Sequence, residues 1–303
     1  MTGGSGYIGS VIVEKAIARG YVVHVLSRTE TSDDKIRALG AVPVRGDLGS
    51  HDVLREQSAQ SDMVLYLAHM RDVGVDYAEV LRADQAAVDA IAAGLEGSNK
   101  PLVITSATLV VEPTGEETTE DSPLAENPLN DRFKAEIHAL NLVGRGIRVS
   151  VVRLPPFVYG RGGSGIFGFM KMFAKGGECY YVGSGVRTTG VHVDDAATLF
   201  LLAAESARAG DIINAVSNSD ITTRELSEAM GAVLELPVVS LSFDDAVAKF
   251  GPFLPRLLTT ESRASGAKAQ NQFGWQPKEP GVVQDIKTGS YVAAAARLKK
   301  SAT

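Results

Sequence analysis

The chain of 303 residues, with 45% hydrophobic and 22% charged side chains, has the length and composition of one large α/β domain with a smaller lobe. Its net charge of −6 without a basic cluster excludes nucleic acid as the expected partner, and its single cysteine, Cys179, excludes an internal disulfide and a cysteine-rich zinc site. No apolar run reaches about 18 residues and no signal peptide is evident, so we expect a cytoplasmic protein without a metal site or a membrane partner.

The first predicted element is a helix that follows a glycine-rich turn. The segment 2–9 reads TGGSGYIG, with glycines at positions 3, 6 and 9. Glycines at this spacing let a strand turn sharply into a helix, and they let backbone N–H groups approach a pyrophosphate at the helix N-terminus. A helix over 7–19 with one apolar face follows, and Gly20 is its stop signal. The turn therefore predicts a dinucleotide site.

A buried strand of about five residues should lead into such a turn. Only Met1 precedes Thr2. Either the numbering starts at the first retained residue or the chain is truncated. Without that strand the sheet would lack a central member, and cofactor binding would be compromised.

Strands and helices then alternate along the first half of the chain. Apolar, β-branched segments predict strands, and apolar residues at helical spacing predict helices. The predicted strands are 21–26, 41–45, 63–68, 102–105 and 147–154, and the predicted helices are 33–39, 80–95 and 132–143. This order implies an α/β fold with a doubly wound parallel sheet, in which ligands bind beyond the carboxyl ends of the strands.

The character of the chain changes after residue 155. Glycine-rich and aromatic sequence follows over 160–173, and a capping box of Thr222 and Glu225 begins a later helix. We assign 1–155 to a nucleotide-binding domain to which 188–217 return, and 218–303 together with 156–187 to a substrate-binding lobe. The acidic segment 112–131 is interpreted as a solvated connection or, alternatively, as a lid over the site.

Several of these segments resemble the extended short-chain dehydrogenases/reductases. The similar segments are TGGSGYIG, Asp47-Leu48, Leu67-Ala68-His69, ITSAT at 104–108, Arg153-Leu154-Pro155-Pro156 with Val158-Tyr159-Gly160, and Phe273-Gly274-Trp275-Gln276-Pro277. The resemblance covers essentially the whole chain and implies a Rossmann fold with a C-terminal substrate lobe. It says less about the reaction, because this superfamily includes reductases, epimerases, dehydratases and non-catalytic sensors.

The end of the predicted strand 21–26 indicates which cofactor is bound. This is the second strand of the fold, because the strand that should precede the glycine turn counts as the first. In NAD-binding relatives an acidic residue at this point accepts hydrogen bonds from the ribose 2′-hydroxyl. Here the strand ends in Ser27-Arg28. A guanidinium offers planar donors to a 2′-phosphate, and a serine hydroxyl adds one more. We therefore predict NADP(H) as the cofactor.

By resemblance, the other cofactor contacts fall on the glycine turn and the strand ends. Asp47 would contact the adenine amine, and Leu48 would pack on the ring. The remaining cofactor-binding positions are Gly3, Ser5, Gly6, Tyr7, Ile8, Gly9, Leu67, Ala68, His69, Thr105, Pro155, Phe157 and Val158.

The family's catalytic residues are only partly present. Relatives have a serine or threonine after the fifth strand and a Tyr-x-x-x-Lys pair on the next helix, where the tyrosine is the general acid/base. Ser106 matches the first position, but alignment on Glu136 puts Pro128 at the tyrosine position and Arg132 at the lysine position. This combination resembles the atypical branch that lacks the pair. Asp84 stands where relatives have asparagine, as either a proton-relay residue or a helix-face carboxylate.

Other side chains are candidates for proton donation or substrate contact. Tyr159, His69 and His192 could each supply a proton or serve only a structural role. The candidate substrate contacts are His69, Met70, Ser106, Thr108, Tyr159, Phe167, Phe169, Arg187 and His192. We expect an apolar pocket, in which at least two of five side chains face the nicotinamide. These five are Phe157, Phe167, Phe169, Met170 and Met172.

The expected function is NADP-dependent reduction of a carbonyl on an apolar or aromatic small molecule. The alternatives are an epimerase, dehydratase or isomerase with a tightly held cofactor, and a non-catalytic NADP-binding regulator. We expect a monomer or a homodimer, since relatives often dimerise through the helices that correspond to 80–95 and 132–143.

Overall fold

A computed structural model of the protein describes residues 1–68 and 76–302. The strands are β1 (His24–Ser27), β2 (Val42–Arg45), β3 (Val64–Tyr66), β4 (Pro101–Ala107), β5 (Arg148–Leu154), β6 (Phe157–Tyr159), β7 (Cys179–Val182), β8 (Arg187–His192), β9 (Ile212–Asn214), β10 (Asn218–Thr222) and β11 (Val238–Leu241). The helices are α1 (Tyr7–Ala18), α2 (Glu30–Ala38), α3 (His51–Gln60), α4 (Tyr77–Leu95), α5 (Arg132–Asn141), α6 (Ser164–Gly176), α7 (Val193–Ser206), α8 (Thr223–Leu234), α9 (Phe243–Phe250), α10 (Phe253–Thr259), α11 (Ala267–Phe273), α12 (Val282–Thr288) and α13 (Val292–Ala302).

The larger sheet is parallel, and helices cover both of its faces. Four strands pair in the order β3-β4-β5-β9, and β1 pairs with β2. Residues of α1 and α7 pack on one face against side chains such as Val103 and Val152. Residues of α3, α4 and α5 pack on the other face against Leu102, Ile104 and Val151. The strands are apolar without alternation because both of their faces are buried. The predicted doubly wound α/β fold is confirmed.

Met1 and Thr2 join the two groups of strands. The Leu26 N–H donates to the Met1 carbonyl at 3.0 Å, and the Thr2 N–H donates to the Leu65 carbonyl at 3.0 Å. Behind them, between β1 and β3, lies a cavity of about 480 Å³. Burial lowers the pKa of the Met1 α-amine to about 6. These two residues therefore lie between β1 and β3 and link the two groups of strands.

The smaller lobe carries two small sheets. One has the order β10-β8-β6, and the other pairs β11 with β7. Because β8 pairs with β6 and β10, the chain returns to the larger sheet with α7 and β9. The proposed domain boundaries stay a prediction. The capping box of Thr222 and Glu225 begins α8 as predicted.

The acidic segment 112–131 is mostly exposed, as a solvated connection would be, but two of its residues, Thr118 and Glu120, are buried and anchor it. Glu120 is buried, and its carboxylate accepts a hydrogen bond from the Asn214 N–H at 2.8 Å. Thr118 exchanges backbone hydrogen bonds with Arg263 and Ser265. The segment thus ties the larger sheet to the smaller lobe. Among the helices of the described residues, none is both long and apolar enough to cross a membrane.

Candidate active site

A continuous groove runs along the carboxyl ends of the larger sheet. One part, of about 530 Å³, extends towards Arg28 and Asp47. The other, of about 660 Å³, extends towards the smaller lobe. Gly3, Gly6 and Leu67 line both parts. The predicted pyrophosphate turn therefore lies at the middle of the groove, as an extended dinucleotide requires.

The glycine turn depends on close backbone approaches. Gly3 has a φ of +70°, and a Cβ on it would lie 2.9 Å from the Ala68 nitrogen. A Cβ on Gly9 would lie 2.1 Å from the Gly3 carbonyl oxygen, so α1 can start this close to the turn only with glycine there. In the described part of the chain, no side chain caps the first N–H groups of α1. These donors face the groove and suit an anionic pyrophosphate.

The first part of the groove ends at Arg28, whose side chain is exposed. Within the described residues, its guanidinium makes no ion pair with a carboxylate. The Asp47 carboxylate accepts hydrogen bonds from the Gly49 N–H at 2.9 Å and the Ser50 hydroxyl at 3.0 Å. Ser27 also lines this part of the groove. It is buried and its hydroxyl donates to the Thr29 carbonyl at 3.3 Å, and its predicted contact with a 2′-phosphate stays a prediction. Ser32, which the sequence reasoning missed, lines the groove beside Ser5 and Leu48.

The second part of the groove is an apolar chamber. Its walls include Phe157, Val158, Ile166, Phe169 and Leu257, and the Phe157 and Phe169 rings are 6.3 Å apart. Two of the five expected side chains therefore face the chamber.

Other residues that were expected to line the pocket or contact the cofactor do not line the chamber. Met170 is fully buried in the lobe core, and Phe167 lies under the Lys171 ammonium, 4.9 Å from it. Pro156 lines the chamber where Pro155 was expected; Pro155 is buried.

The loop 160–164 is held over the start of α1. The Tyr7 hydroxyl donates to the Gly160 carbonyl at 2.7 Å, and the Tyr291 hydroxyl donates to the Gly163 carbonyl at 2.9 Å. Arg161 donates to the carboxylates of both Glu14 and Asp194. These hydrogen bonds, with Glu14 first, raise the pKa of the Arg161 guanidinium above its usual range. The loop is therefore a fixed wall of the groove.

The end of β4 brings Ser106 and Arg132 together beside the chamber. Thr105 lines the chamber, and the Arg132 guanidinium donates to the Thr105 carbonyl at 2.8 Å. Ser106 follows, only 3% exposed, and its hydroxyl has no hydrogen-bond partner among the described residues. An unpartnered buried hydroxyl costs free energy. A ligand oxygen at the strand end would satisfy it.

A second polar group lies on the same side of the sheet. The buried Tyr66 hydroxyl donates to the Asp84 carboxylate at 2.5 Å. Burial, followed by the Asp84 charge, raises the pKa of Tyr66 above its usual range. Tyr77, the first residue of α4, is half-buried.

Comparisons with known proteins agree with this geometry. The model of the NAD-dependent epimerase/dehydratase family matches residues 1–215. The chain belongs to that family. An uncharacterized protein of Schizosaccharomyces pombe is 34% identical over 293 residues, which are 96% of this chain and 98% of that protein.

Two named proteins are also similar to this family member. A 4-hydroxy-2-methyl-3-oxo-4-farnesyl-3,4-dihydroquinoline-1-oxide ketoreductase of Stigmatella aurantiaca is 27% identical over 276 residues, 87% of this chain and 82% of the relative. The UDP-glucose 4-epimerase of Thermus thermophilus, solved with NAD, superposes with a TM-score of 0.76 at 23% identity, over 97% of this chain and 98% of that one. The second likeness shows the Rossmann-like fold with its C-terminal lobe. NAD(P) binding is typical of the family.

Two side chains that were predicted as proton donors, those of Tyr159 and His192, make hydrogen bonds with other residues of the protein. Tyr159 is fully buried. Its hydroxyl donates to the Pro280 carbonyl at 2.8 Å and accepts from the Asn218 amide at 3.0 Å. His192 caps α7, because its Nδ1 accepts a hydrogen bond from the Asp194 N–H at 3.2 Å. The Tyr159 hydroxyl and the Nδ1 atom of His192 are thus hydrogen-bonded within the protein. The structure corrects the expectation that these side chains reach the substrate.

The other predicted substrate contacts divide into two groups. Arg187 is exposed on β8 and paired with Asp220. Thr108 is buried within 3.5 Å of the Ser262 hydroxyl. Neither side chain lines the groove. His69 and Met70 lie outside the described residues, so their predicted roles stay predictions. Among the described residues, no cluster of His, Cys, Asp or Glu could hold a metal ion.

Proposed function

We propose that the protein is an NADP-dependent oxidoreductase that reduces a carbonyl group on an apolar small molecule. The observation that carries the proposal is the asymmetry of the groove. One end presents an exposed guanidinium, and the other is an apolar chamber next to the glycine turn.

Arg28 supports NADP(H) over NAD(H). A 2′-phosphate needs cationic donors, whereas a 2′-hydroxyl needs an acceptor. The nearest groove carboxylate, Asp47, accepts hydrogen bonds from its own loop. Arg28 therefore offers its donors to the groove, with Ser32 beside it.

The chamber supports an apolar substrate. Its aromatic and aliphatic walls offer few partners for the hydroxyls of a sugar, and a buried hydroxyl without a partner weakens binding. The similar ketoreductase is named for a farnesylated oxo-quinoline, which is a large, mostly apolar ketone. This likeness supports the same substrate class here.

The chain's residues have distinct tasks in this reaction. The bound cofactor, when reduced, supplies a hydride. The glycine turn and α1 hold its pyrophosphate, Arg28 binds its 2′-phosphate, and the apolar walls exclude water. The Ser106 hydroxyl donates a hydrogen bond to the substrate carbonyl, because it is buried at the strand end without another partner. A serine hydroxyl is a poor acid, so its task is to orient the carbonyl. The absence of the usual tyrosine and lysine from α5 agrees with the atypical branch of the short-chain dehydrogenases/reductases.

NADPH oxidation at 340 nm, measured with a panel of carbonyl compounds, tests the proposal. The panel should include aromatic and polycyclic ketones, together with nucleotide sugars as the contrasting class. We expect turnover with apolar ketones and none with nucleotide sugars. Cofactor that co-purifies and is never consumed would instead support an epimerase or dehydratase. Cofactor binding without turnover of any compound would support a regulator.

A further inference from the structure

The helix α10 contributes one wall of the apolar chamber. Leu257, a half-buried residue of this helix, lines the chamber. The other lining residues lie within 3–9, at 67 and 105, and within 156–169. A segment of the smaller lobe that is distant in sequence from all of them therefore bounds the chamber on one side.

Three consecutive residues of α10 face in three directions, because successive side chains of an α-helix are about 100° apart. Leu258 packs against the core of the smaller lobe. The exposed Arg256 donates a hydrogen bond to the Pro128 carbonyl at 3.2 Å. Leu257, between them, faces the chamber. The lobe core and the acidic segment 112–131 thus both hold α10, and with it the position of Leu257.

A second apolar wall of the chamber comes from α6. The Phe169 ring lines the chamber, and its centre lies 6.3 Å from that of Phe157 and 6.1 Å from that of Phe173. Aromatic packing therefore fixes the orientation of this wall. The lobe helices α6 and α10 thus present carbon surface to the chamber, whereas the glycine turn presents backbone N–H groups.

We propose that Leu257 is a specificity-determining residue, on which the apolar part of the substrate remote from its carbonyl packs. This assignment rests on the proposed reductase function. It narrows the substrate class to ketones with an apolar chain or ring system long enough to reach α10 from the strand end at Thr105. A small ketone would leave the Leu257 side chain in contact with water.

Two phenyl ketones that differ only in the length of the alkyl chain measure this contact. Acetophenone carries a methyl group, and hexanophenone carries a longer alkyl chain on the same phenyl ketone. Burial of one CH₂ group strengthens binding by about fourfold. Burial of only two of the additional CH₂ groups should therefore make the Kd of hexanophenone more than about tenfold lower than that of acetophenone in the wild-type protein.

Titration calorimetry of both ketones into the protein saturated with NADP⁺ gives these constants without turnover. Leu257→Trp would fill the space beside α10. We expect it to raise the Kd of hexanophenone by about tenfold or more and to change that of acetophenone by less than about twofold. Leu254→Trp is the matched control, because Leu254 is on the same helix and is not one of the residues that line the chamber. It should keep the wild-type preference for hexanophenone.

Leu257→Ala tests the same contact without added bulk. It removes apolar surface from the wall, so the Kd of hexanophenone should rise by about three- to tenfold, while that of acetophenone stays unchanged. The melting temperature and the Kd of NADPH show whether each variant is folded. An unchanged preference for hexanophenone in Leu257→Ala, or in a folded Leu257→Trp, would overturn the assignment.

NADPH oxidation with the same two ketones separates this assignment from the proposed function. In Leu257→Trp, kcat/KM for hexanophenone should fall by the factor found for binding, and kcat/KM for acetophenone should not. If the wild-type protein reduced neither ketone but bound hexanophenone through Leu257, the reductase function would fail and the binding role would stand. If it reduced both ketones without preferring hexanophenone, the role of Leu257 would fail and the reductase function would stand.

Discussion

Replacement of Arg28 by alanine should weaken the binding of NADP(H) and leave the binding of NAD(H) nearly unchanged. The guanidinium lies at the end of β1, exposed at one end of the groove, where the adenosine half of a dinucleotide would lie. Only NADP(H) carries the 2′-phosphate that a cation there can bind. The change therefore removes an interaction with one cofactor only.

The magnitude follows from the exposure of Arg28. A hydrogen bond to a charged group contributes about 1.5–3 kcal/mol, and solvent screens an exposed pair. We therefore take the lower part of the range, about 1.5–2 kcal/mol, which corresponds to a roughly 10- to 30-fold increase in the Kd of NADPH. Screening also predicts that the loss becomes smaller as the salt concentration rises.

Fluorescence titration of NADPH and NADH into the wild-type and Arg28→Ala proteins measures both constants. Arg37→Ala is a matched control, because Arg37 is another exposed arginine of this region but is paired with Asp34. We expect it to change neither Kd. Equal affinity of the wild-type protein for the two cofactors, or a parallel loss for both in Arg28→Ala, would refute the reasoning.

Two further predictions concern the turn and the strand end. Gly9→Ala should raise the Kd of NADPH more than tenfold, because its Cβ would meet the Gly3 carbonyl at 2.1 Å; Gly168→Ala, with open space around it, should not. Ser106→Ala should lower kcat by about 10²-fold and change KM less, whereas Lys134→Ala, exposed and paired with Asp131, should change neither in steady-state assays.

The sequence by itself determined the features that depend on local pattern. Apolar runs and helical spacing located most elements of the larger sheet to within a few residues, and the glycine spacing located the turn before α1. The capping box of α8 and the lack of a tyrosine on α5 could also be identified from the sequence, because each feature involves residues of a single element. The helix α3 was missed, since His51–Gln60 has a mostly polar sequence with only a few apolar residues.

Only the tertiary structure decided which polar side chains can reach a ligand. Tyr159 is next to the expected nicotinamide site in sequence, yet its hydroxyl is bound to a carbonyl 121 residues later in the chain. His192 likewise caps α7 through its Nδ1, which accepts a hydrogen bond from the Asp194 N–H. Conversely, Arg132 at the start of α5 reaches the Thr105 carbonyl near the end of β4, 27 residues earlier in the chain, because α5 begins at the carboxyl edge of the parallel sheet. A local pattern specifies the backbone element, but the burial and partners of a side chain depend on residues far away in the chain.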